Sequence, residues 1–377
     1  MTTGESETYY ADLDIARAIL MALLVVLHSV NVFAPDSPAP IHTATPHHMY
    51  ALVSIAIQLF QLPAFFMVSG FFCWLSLSRH GARRFMVSRA QRILVPLAVT
   101  ALTLNLVELW LRARVAGETR GLIEFVVSVF THGAESQGSW TYHLWFLVVL
   151  FVYFAVSALI VSVVGERQIR AFFRQNRQAN PATWPGFVVV IFGVLASYLP
   201  AALGQVLPGL VYADAFPGVP VYALIDYAPF FFFGVLLALA PEAIERLRTP
   251  TLGKATAFLV AIILIPIIIV FFPVGSSLEI GLWALGAWMT TLTLFSLVLA
   301  LVRNTPIDAQ SIAAPAYTIY LVHHVLVLAV GMGVLGLAWP SWLQCLSLVV
   351  IVYGVSAAFH YLLVRRVRVL RFALNGT

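Results

Sequence analysis

The chain has 377 residues, 61% of them hydrophobic and only 10% charged, where a soluble globular chain carries about 25% charged residues. Drawn out in apolar runs of about 20 residues, this composition excludes an ordinary soluble enzyme and describes a polytopic protein lodged in a lipid bilayer. The net charge of +5 is almost wholly Arg, with Lys254 the single Lys; the charges are scattered over short connections, which argues against nucleic acid as a partner and fits the positive-inside rule.

The apolar pattern predicts an all-α polytopic membrane protein with about ten transmembrane helices, at 14–33, 50–78, 93–112, 141–164, 185–203, 221–240, 255–272, 278–301, 312–336 and 341–364. An even count puts both termini on one side. The connections on that side collect most of the basic residues, including Arg79, Arg83, Arg84, Arg89 and Arg92 early in the chain and Arg365, Arg366, Arg368 and Arg371 at its end. That asymmetry places both termini in the cytoplasm. Residues 1–13 then form a short cytoplasmic tail, 14–364 a single transmembrane domain and 365–377 a basic cytoplasmic tail.

The first span is flanked by Glu5 and Glu7 and contains Asp14 and Arg17, so it reads as a retained helix rather than a cleavable signal. Arg17 and His28 are separated only by apolar residues. Eleven steps of a helix bring both side chains to one face, about 16.5 Å apart along the axis. With Arg17 near one surface, His28 sits near the midplane, where an ionisable side chain is expensive and by default functional. Asp14 lies three residues before Arg17 and can pair with it. Alone, Arg17 would be a snorkelling topology anchor and His28 a satisfied core histidine; aligned above an acid–base pair, they read as a site.

The second span carries Phe65-Phe66-Met67-Val68-Ser69-Gly70-Phe71-Phe72. Small residues among aromatics predict a close helix approach, and Ser69 could also bond a ligand carbonyl. Arg89 and Arg92 precede Pro96 at the start of the third span, preceded in turn by Arg83 and Arg84. They can be ordinary positive-inside charge or a cradle for phosphate. The fourth span opens with Trp140-Thr141-Tyr142-His143-Leu144-Trp145: Trp140 and Tyr142 suit an aromatic belt, while His143 and Trp145 can line the outer mouth of a site. The ninth span holds Tyr317, Tyr320, His323 and His324. His323 lies about eleven residues into it, at the depth of His28, and adjacent histidines point about 100° apart, so only one of the two can face a shared cavity.

Cys73 and Cys345 fall inside apolar runs and read as buried hydrophobes, without a disulfide framework. His28 with one of the later histidines lacks a carboxylate or thiolate at ligand spacing, so no metal is expected. Glu108, Asp226 and Glu279 are carboxylates in or near spans, with no role that the sequence assigns.

Together these motifs resemble the membrane acyltransferase-3 family: the Arg17-x10-His28 pair, the Phe65-Phe66-x-x-Ser69-Gly70-Phe71 segment and the Arg89-x-x-Arg92-x-x-x-Pro96 start of the third span. The segments His143-Leu144-Trp145-Phe146-Leu147 and Ile319-Tyr320-Leu321-Val322-His323-His324 resemble the family's OpgC (MdoC) branch, which succinylates osmoregulated periplasmic glucans. The resemblance covers essentially the whole chain. It implies an inner-membrane O-acyltransferase with a cytoplasmic acyl-CoA donor (succinyl-CoA favoured) and a periplasmic glucan or other extracytoplasmic glycan as acceptor; a homo-oligomer is compatible with it. His28 would be the general base, with Arg17, Ser69, His323 and His324 as further catalytic candidates. Arg83, Arg84, Arg89 and Arg92 would hold the coenzyme, and His143, Trp145 and Tyr320 the acceptor. The rival reading is a secondary transporter or flippase using midplane His and Arg, but the inverted repeats usual in that class are not visible in the sequence.

Overall fold

The structure, a computed structural model, describes residues 10–132, 142–176, 184, 186–249, 251–269, 271, 275–302 and 308–377. It is helical almost throughout: α1 (Ala11–Asn31), α2 (His48–Gln58), α3 (Gln61–Leu102), α4 (Leu104–Val115), α5 (Leu122–His132), α6 (Trp145–Val164), α7 (Glu166–Gln175), α8 (Gly186–Val206) and α9 (Pro208–Val211) form the first half. A two-stranded hairpin of β1 (Asp214–Phe216) and β2 (Val219–Pro220) leads to α10 (Val221–Asp226), α11 (Ala228–Leu239), α12 (Pro241–Arg248), α13 (Leu252–Ile269), α14 (Ser277–Val302), α15 (Ala309–Ala313), α16 (Ala316–Val334), α17 (Ser341–Phe359) and α18 (Arg368–Asn375).

Among the described residues, nine stretches are long and apolar enough to cross a membrane. One of them, His48–Val115, has 68 residues, which as a straight helix would be about 100 Å long, some three times the hydrocarbon thickness. It contains the second and third predicted spans, and the chain breaks between them at Gly81, whose φ of 73° and ψ of 160° lie outside the helical region. A side chain there would be strained, and glycine is the residue that accepts it. Beyond Gly81 the chain doubles back. Phe66 packs at an angle against Phe146 and Tyr153 of α6 and Cys73 lies beside Ser157, yet Phe85 returns to Phe154.

The first half of α3 crosses α11 at close range. A methyl group on Gly70 would collide with the carbonyl of Phe231, and one on Gly234 with the carbonyl of Met67. The Ser-Gly segment therefore does serve the close approach that its composition predicts. Around this crossing Phe65, Phe66, Phe71, Phe146, Phe230 and Phe231 form the main buried core. At the periphery, α8 and α13 leave Phe192, Leu195, Ile263 and Leu264 exposed, as helices facing lipid tails must. Gly70→Ala is expected to destabilise the protein by about 1–3 kcal/mol through overpacking against backbone that cannot rotate away. A fall in thermal unfolding temperature of the purified protein checks it, with Gly121→Ala, where an added Cβ meets nothing, as the neutral comparison.

Candidate active site

Two helices and one turn bring four imidazoles together. His28 comes from α1 and His323 and His324 from α16. His143 comes from the turn before α6, at which Tyr142 holds a φ of 37°, a left-handed conformation uncommon for a residue with a side chain. The His28 ring lies 5.1 Å from His323 and 4.7 Å from His324; the His143 ring lies 5.2 Å from His323 and is stacked 4.8 Å from His324.

The two adjacent histidines divide as their angular separation requires. His323 is fully buried, and its Nδ1 is directed at the carbonyls of Ile319 and Tyr320. His324 faces the cavity, with Nδ1 2.7 Å from Oε1 of Glu108. The same carboxylate oxygen accepts from Nε of Arg112 at 2.8 Å and Nη2 at 2.6 Å. Glu108 and Arg112 are one helical turn apart on α4, the spacing at which such pairs meet, and the Arg112 guanidinium covers the Tyr142 ring at 4.5 Å. The Tyr320 hydroxyl donates to the carbonyl of His143 at 2.7 Å, so it positions that residue as well as lining the cavity.

Three ring nitrogens remain buried without partners: both of His143 and Nε2 of His323. His28 carries no hydrogen bond to protein among the described residues, and its ring lines the cavity. Glu108, His143 and His324 also place one potential metal-ligand atom each within 4.8 Å of one another, but the carboxylate oxygen that Glu108 turns to His324 is already held by Arg112.

The cavity has a volume of about 730 Å³ and runs from Met21 and Leu24 of α1 to Pro38–Pro40 beyond its end. Among the described residues Arg112 is the one arginine lining it; Asp226 and Glu279 add carboxylates, and Trp145, Tyr222 and Tyr227 add aromatic walls. Asn31 and Gln58 line it too, tied through Ser54 at 2.6 and 2.8 Å. Pro38, Ala39 and Pro40 of the 34–49 connection are part of its lining. Phe65 and Phe146 line it as well, their rings 4.9 Å apart.

The remaining predicted residues lie elsewhere. Arg17 pairs with Asp14 at 2.8 Å, as expected, and lies over Phe72. Arg89 is seated against the rings of Phe85 and Phe154 at 5.2 and 5.3 Å, its Nε buried without a partner, and Arg17 and Arg92 lie within electrostatic reach of it. No carboxylate pairs with Arg89 or Arg92 among the described residues, while Arg83, Arg84 and Arg92 are exposed. None of these arginines lines the cavity, and neither does Ser69, which stands beside the Gly70 crossing. Trp140 lies outside the described residues. His143 is deeper than the mouth position that the sequence predicts. What sequence reasoning left without a role is Glu108; Arg112, four residues on in the same apolar span, was the available signal.

A profile describing an acyltransferase domain matches residues 10–361. The chain belongs to the acyltransferase-3 family. Among its relatives are proteins named glucans biosynthesis protein C from Salmonella heidelberg (strain SL476), Salmonella agona (strain SL483) and Salmonella paratyphi B. Each is 25% identical over 97% of this chain and 94% of its own. No solved structure matches the chain. This acyltransferase-3 protein is thus a multi-pass bacterial membrane protein, an O-acyltransferase related to proteins named for glucans biosynthesis.

Proposed function

We propose that the protein transfers an acyl group, succinyl favoured, from a cytoplasmic coenzyme A thioester to a hydroxyl of a periplasmic glucan or other extracytoplasmic glycan. The observation that carries this reading is the His28 imidazole, free of protein hydrogen bonds among the described residues, in a cavity beside the His324–Glu108 pair. A sugar hydroxyl is a poor nucleophile at neutral pH. An imidazole that takes its proton during attack contributes about 10²–10⁴-fold. His28 is assigned that role. The hydroxyl oxygen attacks the thioester carbon while its proton moves to His28. The carbon–sulfur bond then breaks, and the imidazolium returns the proton to the departing thiolate, leaving an ester and free coenzyme. Arg112 lies where a guanidinium can oppose negative charge on the carbonyl oxygen, a role Ser69 cannot fill from the helix crossing. Glu108 fixes the His324 tautomer by accepting from Nδ1.

The donor's phosphates are assigned to Arg17, about 16.5 Å of helix rise from His28 on the α1 axis, and to Arg89 and Arg92 within electrostatic reach of it. A buried arginine nitrogen without a partner is costly, and an anion is what relieves it. In this reading Arg83 and Arg84 attract the coenzyme rather than grip it, and the thioester passes the Phe65–Phe146 contact to reach His28.

The test is transfer of labelled succinyl from coenzyme A to glucan by the purified protein in proteoliposomes. A covalent ester on the glycan supports the reading. Uptake of unmodified substrate supports a transporter instead. Arg89→Ala is expected to raise the donor KM by about tenfold or more, as loss of a charged hydrogen-bond donor does, with the acceptor KM unchanged.

A further inference from the structure

Asp308 is the last acidic side chain of the sequence, whereas Arg365, Arg366, Arg368 and Arg371 follow the final span directly. All four are exposed, and no carboxylate pairs with them among the described residues. Arg170 on α7, by contrast, is held by Glu166 at 2.7 Å and covers the Trp74 ring. The final span ends in a wide turn, with the Arg365 N–H donating to the carbonyl of His360 at 2.9 Å. Val367 then takes extended backbone, φ −98° and ψ 113°, so α18 starts as a separate helix. Its far end is fixed. Leu374 is buried in the main core. Gly376, at a φ of 66°, lies so close to α3 that a methyl group would collide with the carbonyl of Gln91 and the Cα of Arg92.

At about 100° per residue, α18 has three faces. Leu370, Ala373 and Leu374 share the one that is wholly or partly buried. Arg368 and Arg371, about 60° apart, share a second. Val369 and Phe372, also about 60° apart, share the third, and they are 75% and 50% exposed. Leu362 and Leu363 at the end of the last span are exposed as well, so the apolar surface that meets lipid tails along α17 continues onto α18. Exposed apolar side chains beside arginines on one short helix are the pattern of a helix lying in the bilayer interface. Guanidinium groups there meet lipid phosphates, which they can grip with two parallel hydrogen bonds. In a zwitterionic lipid each phosphate already has a cation of its own. In an anionic lipid it has none, and four arginines with no carboxylate among them favour that partner.

We infer that α18 and the turn before it form a docking surface for the headgroups of anionic phospholipids. Val369 and Phe372 enter the acyl-chain boundary, and Arg365, Arg366, Arg368 and Arg371 bind the phosphates. Basic residues that only set topology need no more than the right side of the membrane; this surface selects the class of lipid as well. None of these side chains lines the cavity, and the surface binds lipid whatever reaction the cavity performs.

The test places the full-length protein in phosphatidylcholine vesicles with a fluorescent dye on Thr377→Cys, an exposed position next to α18. Cys73 and Cys345 are buried, which leaves one site for the label. A small share of the lipid is then replaced by brominated phosphatidylglycerol or by brominated phosphatidylcholine, and quenching of the dye reads which lipid gathers at the tail. Phosphatidylglycerol is expected to associate about tenfold or more tightly, since each arginine near an anionic surface contributes about fivefold. Replacing all four arginines by Gln is expected to bring the ratio to about one. Raising the salt to about 1 M, where the screening length falls to about 3 Å, is expected to lower the ratio in the parent, which tests the charge even if the fourfold variant fails to insert. Phe372→Ser is expected to weaken quenching by both lipids alike and to leave their ratio unchanged. Saturating free coenzyme A or inorganic phosphate is expected to leave the quenching as it was. A ratio near one in the parent, a ratio indifferent to both salt and the arginines, or quenching unchanged in Phe372→Ser each overturns the surface. Displacement of the lipid by coenzyme A or by phosphate overturns it too, because the arginines would then serve a soluble anion.

Discussion

Replacing His28 by Ala is expected to lower acyl transfer by about 10²–10⁴-fold, the range general-base assistance supplies, while the protein still inserts and elutes as the parent does. The argument is geometric. His28 makes ring contacts with His323 and His324 but no hydrogen bond to protein among the described residues, so its loss breaks no polar network. It faces open cavity, so truncation enlarges a space that already exists instead of hollowing a packed core, the usual source of large losses. Activity and stability should therefore separate. Single-turnover ester formation in proteoliposomes, paired with thermal unfolding of the same preparation, reads both. Transfer within about tenfold of the parent would remove His28 from the base role, since that residue would then be contributing less than positioned proton transfer does. Running His324→Ala beside it is informative: the same collapse in both variants means the two rings act as a unit.

Much of this arrangement follows from angles and rises along single helices. Arg17 and His28 fall on one face because eleven residues make three turns plus only about 20°, and the structure keeps Asp14 on Arg17. The division of labour between His323 and His324 follows from the 100° between neighbours. Ser69-Gly70 marks a crossing because only a missing side chain lets two backbones approach so closely.

The less legible features depend on contacts between distant segments. Glu108 and His324 are 216 residues apart, and no local period announces that α4 delivers a carboxylate to α16. Arg112 belongs to the same difficulty: at the end of an apolar run it reads as a surface charge, and only the fold turns it inward to Glu108. Asp226 and Tyr227 are adjacent, yet their relation to Trp145 arises from how α10 and α11 pack beside α6. Span counting is limited in another way. The turn at Gly81 leaves helical backbone on both sides, so two spans form one nearly continuous helical stretch.

Glu108→Ala is expected to be among the most destabilising single changes in the protein. The carboxylate is 1% exposed, and one of its oxygens holds Arg112 and His324 together. Removing it leaves a guanidinium whose side chain is only 25% exposed without its counter-charge, and breaking a buried pair from one side costs about 3–5 kcal/mol. Activity should fall as well, since His324 loses the acceptor that sets its tautomer and Arg112 is free to turn away. Glu108→Gln separates the two effects. Its amide oxygen can still accept a hydrogen bond, so most of the shape survives, but the negative charge is gone. Its stability should lie between parent and Glu108→Ala, while its rate stays low. The decisive comparison is the double variant Glu108→Ala, Arg112→Ala. Truncating both partners leaves no orphaned charge, so thermal unfolding should recover part of what Glu108→Ala loses, a coupling of about 0.5–3 kcal/mol for groups in one network. Strictly additive losses would mean that the ion pair contributes nothing of its own and that Glu108 matters only for the space it fills. Recovery of stability without recovery of transfer would separate the two roles: the pair tolerates replacement as structure but not as chemistry, because His324 still lacks its acceptor and the cavity still lacks its one lining arginine.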